Sequence, residues 1–413
     1  MIGFISEKKF YLKRNLIIHY IISIMVIMSC YGLNTLDVFL RLLFVLSSAC
    51  MFFVILKYRY KPSRIALCIL TIIVMDIYFT FIHGNPNLGN IFRFGRTLLF
   101  VLWADLYCGK FRKVFYDTLA VYLGIIFIIQ WLYIMLDNGH FGYSSSKNAL
   151  NLVMSDNFLG YIFVPYLVLL AVRSYEKNNK LSIYSILMMA ICLHSVVVSG
   201  AASCTVGLVS FVLLVLFTII FRGYLSIDLK WYLIIYTILF VLIIYMNVQM
   251  YFESYLREYL GKEGTFSGRL PIWNQAIRLI KEKYMYGFGV TYLGRPVVVG
   301  PIAGRLWGPH NYYFSMILEN TVIGFLIFIC MIVLSAQNIV KCNNRFIVSF
   351  ISAGLFAMFL MYTTEGETWI PGQYIIYILA QYICIGEKYE PVLNNKKIWK
   401  EMGYITYKQN ERL

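Results

Sequence analysis

The sequence has little charge for its length. Only 14% of its 413 residues are charged, whereas 60% are hydrophobic. An average soluble domain has roughly 25% charged residues, and disordered chains combine low hydrophobicity with high net charge. The shortage of charge therefore excludes an ordinary soluble protein and a disordered one, and it indicates a polytopic membrane protein.

Acidic residues, histidines and cysteine pairs are also scarce. There are 20 Asp and Glu against 36 Lys and Arg, which gives a net charge of +16. The five histidines are dispersed without a paired-ligand motif, and the nine cysteines include no CxxC, so no metal site or disulfide is predicted. In a membrane protein the basic excess is typical of cytoplasmic loops, and no nucleic-acid partner is expected.

Long apolar runs dominate the chain. A membrane-spanning helix needs about 20 mostly apolar residues, and the pattern predicts twelve spans, of which the sixth and twelfth are short. They are 16–33, 36–56, 65–82, 90–108, 114–136, 158–172, 181–199, 203–221, 231–250, 312–340, 346–364 and 371–386. The first runs into the second without a small-residue cleavage site, so no signal peptide is expected.

The basic residues predict the orientation of these spans. With a cytoplasmic N-terminus, 24 of the 36 basic residues fall in cytoplasmic segments, and the short outer loops contain only Lys147. The positive-inside rule therefore places both termini in the cytoplasm. The predicted domains are spans one to nine in 1–250, a large extracytoplasmic loop in 251–311, spans ten to twelve in 312–386 and a basic tail in 387–413.

The large outer loop is basic, which no topology rule requires. It contains eight Lys and Arg against four Glu, and long loops in compact proteins are usually functional. Its one amphipathic helix has Arg269 at the N-terminus, where free N–H groups favour an anion, and a guanidinium adds bidentate reach for phosphate. The alternative is a surface arginine near a helix cap. Trp273 falls on the apolar face of this helix.

His310 and Asn311 lie at the entry to span ten. Asn311, Ser315 and Glu319 follow at four-residue spacing and share a helix face. Glu319 is then inside the membrane, where a carboxylate is costly and is a functional candidate by default; the alternative is a pair with an arginine that serves packing alone. His310 is a candidate base or a donor to a phosphate oxygen.

Arg93 and Arg96 form a further basic pair in span four. Three residues apart, they point the same way, so they either hold a lipid-linked diphosphate or pair with Glu319, Asp76 or headgroups. Asp105 in the same span is assigned to the inner interface.

Two short glycine motifs have simple explanations. Gly287-Phe288-Gly289, here called the Gly-x-Gly turn, is interpreted as a helix stop, with a left-handed turn that admits a close neighbour as the alternative. Glu365-Gly366-Glu367 is interpreted as a solvated outer turn, with weak cation binding as the alternative.

Taken in order, these motifs resemble the O-antigen polymerase and ligase superfamily, which contains the Wzy-type polymerases. The residues that carry the resemblance are Gly268-Arg269, Trp273, the Gly-x-Gly turn, His310-Asn311, Glu319 and Gly324. They cover roughly residues 267–324, and the rest of the chain matches only in hydropathy.

The resemblance implies an all-α polytopic membrane protein with about twelve transmembrane helices and one large extracytoplasmic loop, GT-C-like, in the bacterial cell membrane. It implies polymerisation of undecaprenyl-diphosphate-linked oligosaccharide repeat units into capsule, O-antigen or exopolysaccharide by a metal-independent glycosyltransferase without cofactors. Membrane lipids, a chain-length regulator and a flippase of the same pathway are the expected partners. The alternatives are a ligase that transfers glycan to a lipid or protein acceptor and, outside enzymes, a flippase, although internal repeats typical of transporters are absent.

The resemblance also implies roles for individual residues. Arg269 and His310 match the loop arginine and histidine that the family needs for activity, and Glu319 is expected to hold the histidine or an arginine. The family's Ser-Arg pair is missing, because the comparable stretch reads Ser199-Gly200. The residue that replaces the arginine of this pair is left open. The candidates for binding the diphosphate are Arg93, Arg96, Arg295 and Arg305. The other predicted substrate contacts are Asn311, Gly268 and Trp273, and Trp273 either stacks on sugar or, equally, packs in the protein.

Overall fold

The structure is a computed structural model of the chain. It describes residues 2–31, 37–136, 156–223, 227–254, 258, 268–290, 300–302 and 305–383. The predicted tail 387–413 and the predicted diphosphate-binding residue Arg295 lie outside the described residues.

Helices make up almost all of the described chain. They are α1 (Ile2–Tyr31), α2 (Asp37–Tyr58), α3 (Arg64–Ile82), α4 (Leu88–Lys110), α5 (Arg112–Leu136), α6 (Gly160–Asn178), α7 (Ile183–Val198), α8 (Ala202–Ile220), α9 (Leu229–Ile244), α10 (Arg269–Lys283), α11 (Tyr312–Val340), α12 (Arg345–Tyr362) and α13 (Ile375–Tyr382). Two short strands, β1 (Gly300–Ile302) and β2 (Arg305–Trp307), pair antiparallel, a hairpin that the all-α prediction did not include.

Six helices in the described part are long and apolar enough to cross a membrane. They are Val38–Tyr58, Arg64–Ile82, Arg112–Leu136, Ala202–Ile220, Tyr312–Val340 and Arg345–Tyr362, and Leu16–Tyr31, Ile183–Val198 and Leu229–Ile244 are shorter apolar helices. Large apolar side chains such as Val38, Leu67 and Ile125 are exposed on their outer faces. Soluble proteins rarely expose large contiguous apolar surface, so the chain is a membrane protein.

The centre of the bundle is formed by α12 and α6. In α12, 83% of the most apolar stretch is buried inside the protein, compared with 22% in α2, and α12 packs against α8, α6 and α9. In α6, every residue from Gly160 to Val172 is buried. A helix that is apolar all round belongs in a core, and the short sixth predicted span is accordingly a central helix.

A break in α11 positions the candidate site. Thr321 has φ 65° and ψ 175°, which is not helical, and carbonyls in the preceding turn find partners elsewhere. The carbonyl of Leu318 accepts from the Phe288 N–H at 2.7 Å. The carbonyl of Glu319 accepts from the Gly289 N–H at 3.2 Å. The Gly-x-Gly turn is thus inserted at the break and supplies the backbone partners that the helix lacks.

The Gly-x-Gly turn also lies directly against α3. Gly287 and Gly289 both have positive φ. A Cβ on Gly287 would lie 2.5 Å from the Phe79 ring, and one on Gly289 would lie 2.3 Å from the Thr80 backbone nitrogen. The turn is therefore more than a helix stop, because its glycines allow the close approach that was the alternative interpretation.

Replacing Gly289 by alanine is expected to destabilise the fold by about 3 kcal/mol, because the new methyl group meets α3 backbone that has no room to move. The measurement is the melting temperature of the purified protein. Gly268→Ala is the matched control, since Gly268 has φ +82° but its Cβ would meet nothing within 4 Å. Equal destabilisation by both substitutions would show that packing on α3 contributes nothing.

Candidate active site

The candidate site is organised by residues 363–370, here called the α12–α13 loop. Glu365 in this loop is 2% exposed. Its backbone is fixed, since its N–H donates to the carbonyl of Met361 at 3.1 Å and its carbonyl accepts from the Tyr161 hydroxyl at 2.9 Å. A carboxylate buried this deeply requires charged or hydrogen-bonding partners.

Arg269 and His310 are the partners of that carboxylate. Nη2 of Arg269 donates to Oε1 of Glu365 at 2.5 Å, and Nδ1 of His310 lies 3.6 Å from Oε2. The second contact is longer than a hydrogen bond but within the range of ion pairs. The two residues expected to be active are therefore brought to one acid, and both remain partly exposed, Arg269 by 19% and His310 by 31%.

Packing of α10 places Arg269. Gly268 precedes the helix with φ +82° and Arg269 is its first residue. The apolar face of α10 packs on Ile244, Phe314 and other side chains of one cluster, with Trp273 at its centre. Trp273 is 1% exposed and its Nε1 donates to the carbonyl of His310 at 3.4 Å. The packing alternative thus describes Trp273, whose ring is closed to a stacking sugar in this structure.

Asn311 holds the start of α11. Its Oδ1 accepts from the N–H groups of Tyr313 and Phe314 at 3.1 Å each, which is a helix N-cap. Its Nδ2 donates to the carbonyl of Thr363 at 2.9 Å. Asn311 is buried, so these contacts make it a positioning residue between α11 and the α12–α13 loop rather than a group open to substrate.

The face shared by Asn311, Ser315 and Glu319 contacts the α12–α13 loop along its length. Below Asn311, the Ser315 hydroxyl donates to the carbonyl of Gly366 at 3.4 Å. Glu319 Oε2 accepts from the Thr368 hydroxyl at 3.1 Å. The three side chains therefore lie on one face of α11, as their spacing predicted.

The partner predicted for Glu319 is corrected by the structure. In the described part of the chain the Glu319 carboxylate contacts Thr368 and forms no ion pair with His310 or an arginine. Glu319 lies seven residues after Tyr312, the first residue of α11, which is about 10 Å farther along the helix axis. Glu365 is the acid that contacts Arg269 and His310.

Arg93 lies at the other end of the same loop. Its guanidinium carbon is 4.8 Å from the centre of the Trp369 ring, a cation–π distance. The Trp369 indole N–H donates to Glu367, and the Trp369 carbonyl accepts from the Thr97 hydroxyl at 2.5 Å. One loop therefore contacts both Arg269 and Arg93, although neither Asp76 nor Glu319 pairs with an arginine of α4.

For the other two predicted arginines, Arg96 and Arg305, the structure gives fewer contacts. Nε and Nη2 of Arg96 are shielded from solvent, and the carbonyl of Arg96 accepts from the Cys30 thiol at 3.5 Å. Arg305 lies in β2, and its side chain is outside the described part. Within the residues described, no group of three or more His, Cys, Asp or Glu side chains is placed to hold a metal ion.

Glu365 is the site residue that sequence reasoning missed. The solvated-turn interpretation was wrong for it, because the α12–α13 loop folds back onto α11. Gly366 allows this fold, because a Cβ there would lie 2.6 Å from Ser315 Oγ and 2.8 Å from the Asn311 backbone. A single glycine in the sequence does not by itself reveal such a close approach.

Comparison with known families matches the middle of the chain. The model of the O-antigen ligase family matches residues 183–329, a segment that includes Arg269, His310 and Glu319 but not Glu365. Comparisons with curated proteins and with solved structures give no match. Residues 183–329 thus match the O-antigen ligase family, which is consistent with the O-antigen polymerase and ligase superfamily that the motifs predicted.

Proposed function

We propose that the protein is a bacterial membrane glycosyltransferase that polymerises undecaprenyl-diphosphate-linked repeat units into a surface polysaccharide on the outer face of the membrane. The observation that carries the proposal is the convergence of Arg269 and His310 on Glu365. Transfer from a diphosphate donor needs positive charge at the leaving group and a base for the acceptor hydroxyl, and this site provides one candidate for each.

The proposal includes a topology of twelve membrane-crossing segments, GT-C-like, with cytoplasmic termini. It is supported by the basic residues at the bundle end opposite the candidate site. There Lys110 Nζ donates to the carbonyl of Tyr58 at 2.9 Å. Arg112 pairs with Glu176 and donates to the carbonyl of Tyr382 at 2.8 Å. A cytoplasmic location of these groups follows the positive-inside rule and leaves the candidate site outside.

Arg269 is the group that we assign to the diphosphate. It lies at the N-terminus of α10, where the backbone N–H groups and the helix dipole also favour an anion. Arginine has five N–H donors, so Glu365 fixes the side chain while other donors are directed to a ligand. When the bond between the anomeric carbon and the diphosphate oxygen breaks, Arg269 stabilises the negative charge that develops on the diphosphate.

His310 is the group that we assign to the acceptor. Glu365 near Nδ1 favours the tautomer with the proton on Nδ1, which makes Nε2 the basic nitrogen. The acceptor hydroxyl oxygen attacks the anomeric carbon, its proton moves to Nε2, and the polyprenyl diphosphate leaves with the electron pair of the broken bond. Such contacts often tighten when substrate binds, so the 3.6 Å separation suits this role.

Arg93 is our candidate for the second diphosphate-binding arginine. A polymerase binds two lipid-linked substrates, and the family's Ser-Arg pair is missing at Ser199-Gly200. Arg93 lies over Trp369, four residues from Glu365, so it is on the same loop as the first site. Guanidinium groups suit bidentate recognition of phosphate.

A ligase is the second candidate function, because the matching family model is that of O-antigen ligases. Ligase and polymerase share the donor and differ in the acceptor, so the geometry at Glu365 serves both reactions equally.

Analysis of lipid-linked glycans in a strain that lacks the gene tests the proposal. Loss of a polymerase leaves single repeat units on the carrier at the outer face, and this is the expected result. Long carrier-linked chains would instead identify a ligase. Precursors trapped on the inner face would identify a flippase and overturn the enzymatic assignment. Complementation with the wild-type gene is the control.

A further inference from the structure

Two carboxylates lie buried between membrane-crossing helices, away from the proposed reacting groups. Asp76 of α3 is 1% exposed and Glu319 of α11 is 2% exposed, and the residue next to Glu319, Asn320, contacts the Asp76 carboxylate. In the described part of the chain neither forms an ion pair. Two uncompensated charges inside a membrane protein are very costly, so something must neutralise them.

The hydrogen bonds around this pair leave particular oxygens without partners. Nδ2 of Asn320 donates to Oδ1 of Asp76 at 2.5 Å, and the Thr368 hydroxyl donates to Glu319 Oε2 at 3.1 Å. Within the described structure, Oδ2 of Asp76 and Oδ1 of Asn320 are buried and have no hydrogen-bond partner. Two orphan acceptors therefore sit on two side chains that touch each other.

Two agents could satisfy these oxygens. A proton on Oδ2 of Asp76 could be donated to Oδ1 of Asn320, whose amide already donates to the other oxygen of the same carboxyl. A cation that accepts electron pairs from both oxygens is the other, and buried unsatisfied polar atoms call for one of these explanations. The two differ in their dependence on pH and on the cation.

We propose that Asp76, Glu319 and Asn320 bind a small hard cation at the break of α11. Carboxylate, amide and hydroxyl oxygens are the ligands that such cations take, and the Thr368 hydroxyl adds a fourth donor. Sodium suits a dry site, whereas Mg²⁺ gives up its water reluctantly. Non-helical backbone at membrane depth is found where it lines an internal site, and Thr321 next to Asn320 has such backbone.

The bound cation ties three elements together. Asp76 belongs to α3, Glu319 and Asn320 to α11, and Thr368 to the α12–α13 loop, which also contains Glu365. The ion fixes the break and this loop without contacting the reacting groups. The inference does not depend on the glycosyl-transfer assignment, and it is tested by binding and stability rather than by polymer synthesis.

The experiment measures the melting temperature of the purified full-length protein in nanodiscs, in sodium chloride and in choline chloride at equal ionic strength. Because an ion that binds only the folded state stabilises it by mass action, sodium is expected to raise the melting temperature by several degrees. Binding of radioactive sodium at one site per chain is the second measurement. The double variant Asp76→Asn, Glu319→Gln is expected to lose both responses while still folding, since it buries no charge.

Asp105→Asn is the matched control. Asp105 is also fully buried, but its oxygens accept from Tyr60 and Ser63, so the variant is expected to keep the sodium response. Identical melting in sodium and choline together with no sodium binding would overturn the proposal. So would a sodium response that persists in the double variant, or a melting temperature that rises on acidification and ignores the cation.

Discussion

Replacing Arg269 by alanine is expected to lower the rate of sugar transfer by about 10³-fold, the magnitude seen when one preorganised donor to a developing anion is removed. The effect falls mainly on kcat, because the diphosphate gains charge as the glycosidic bond breaks. Initial rates are measured with purified protein and lipid-linked repeat units extracted from the deletion strain. Arg269→Lys is expected to recover part of the rate, since lysine keeps the charge but not the bidentate geometry.

Stability has to be separated from chemistry in this variant. Removing Arg269 leaves Glu365 buried beside His310 alone, and breaking a buried pair costs about 3–5 kcal/mol. The double variant Arg269→Ala, Glu365→Gln removes both charges and is expected to fold but to remain inactive. Arg278→Ala is the matched control on the same helix, because Arg278 forms only an exposed i,i+4 pair with Glu282. Wild-type rates at normal protein levels in Arg269→Ala and in the double variant would exclude Arg269 from the site.

Local patterns predicted much of this architecture. An α-helix overlaps each of the twelve predicted spans, although the helix of the ninth ends at Ile244 and that of the twelfth covers only Ile375–Tyr382. Six helices of the described part are long and apolar enough to cross a membrane, and apolar runs have few alternatives to a helix there. Residue spacing also placed Arg269 at the start of α10 and set Asn311 and Glu319 on one face of α11. Each of these predictions depends on residues within a few turns of one another, and such periodicity can be read directly from the chain.

Glu365 could not be predicted from local patterns. Arg269 and Glu365 are 96 residues apart, and no periodicity links them. Glu319 was the more conspicuous acid because it lies within an apolar run, yet it is seven residues into α11, about 10 Å along the axis from the start of the helix. Glu365 lies in a loop whose burial results from packing on α11 and from the Tyr161 hydrogen bond. The break at Thr321 was likewise hidden, since its backbone partners come from the Gly-x-Gly turn.

Replacing His310 by alanine is expected to lower kcat by about 10²–10⁴-fold with a smaller change in KM, because a general base acts in the transition state. His310→Gln keeps a polar side chain without a comparable base and is expected to be as slow. The measurement is again the initial rate of polymer formation. His194→Ala is the control, since His194 is exposed and its ring accepts a hydrogen bond from the Trp131 indole at 3.2 Å.

Glu365 is expected to act through His310 and Arg269 as a positioning residue, and a double-mutant cycle separates this role from a merely structural one. In the wild-type background, Glu365→Gln lowers kcat because the tautomer of His310 and the guanidinium of Arg269 lose their common partner. In the His310→Ala background the same substitution costs less, since one of the two groups that it orients is gone. A structural role would give equal losses in both backgrounds, together with a matching fall in melting temperature. That outcome would leave His310 without its orienting acid and would limit Glu365 to holding the α12–α13 loop in place.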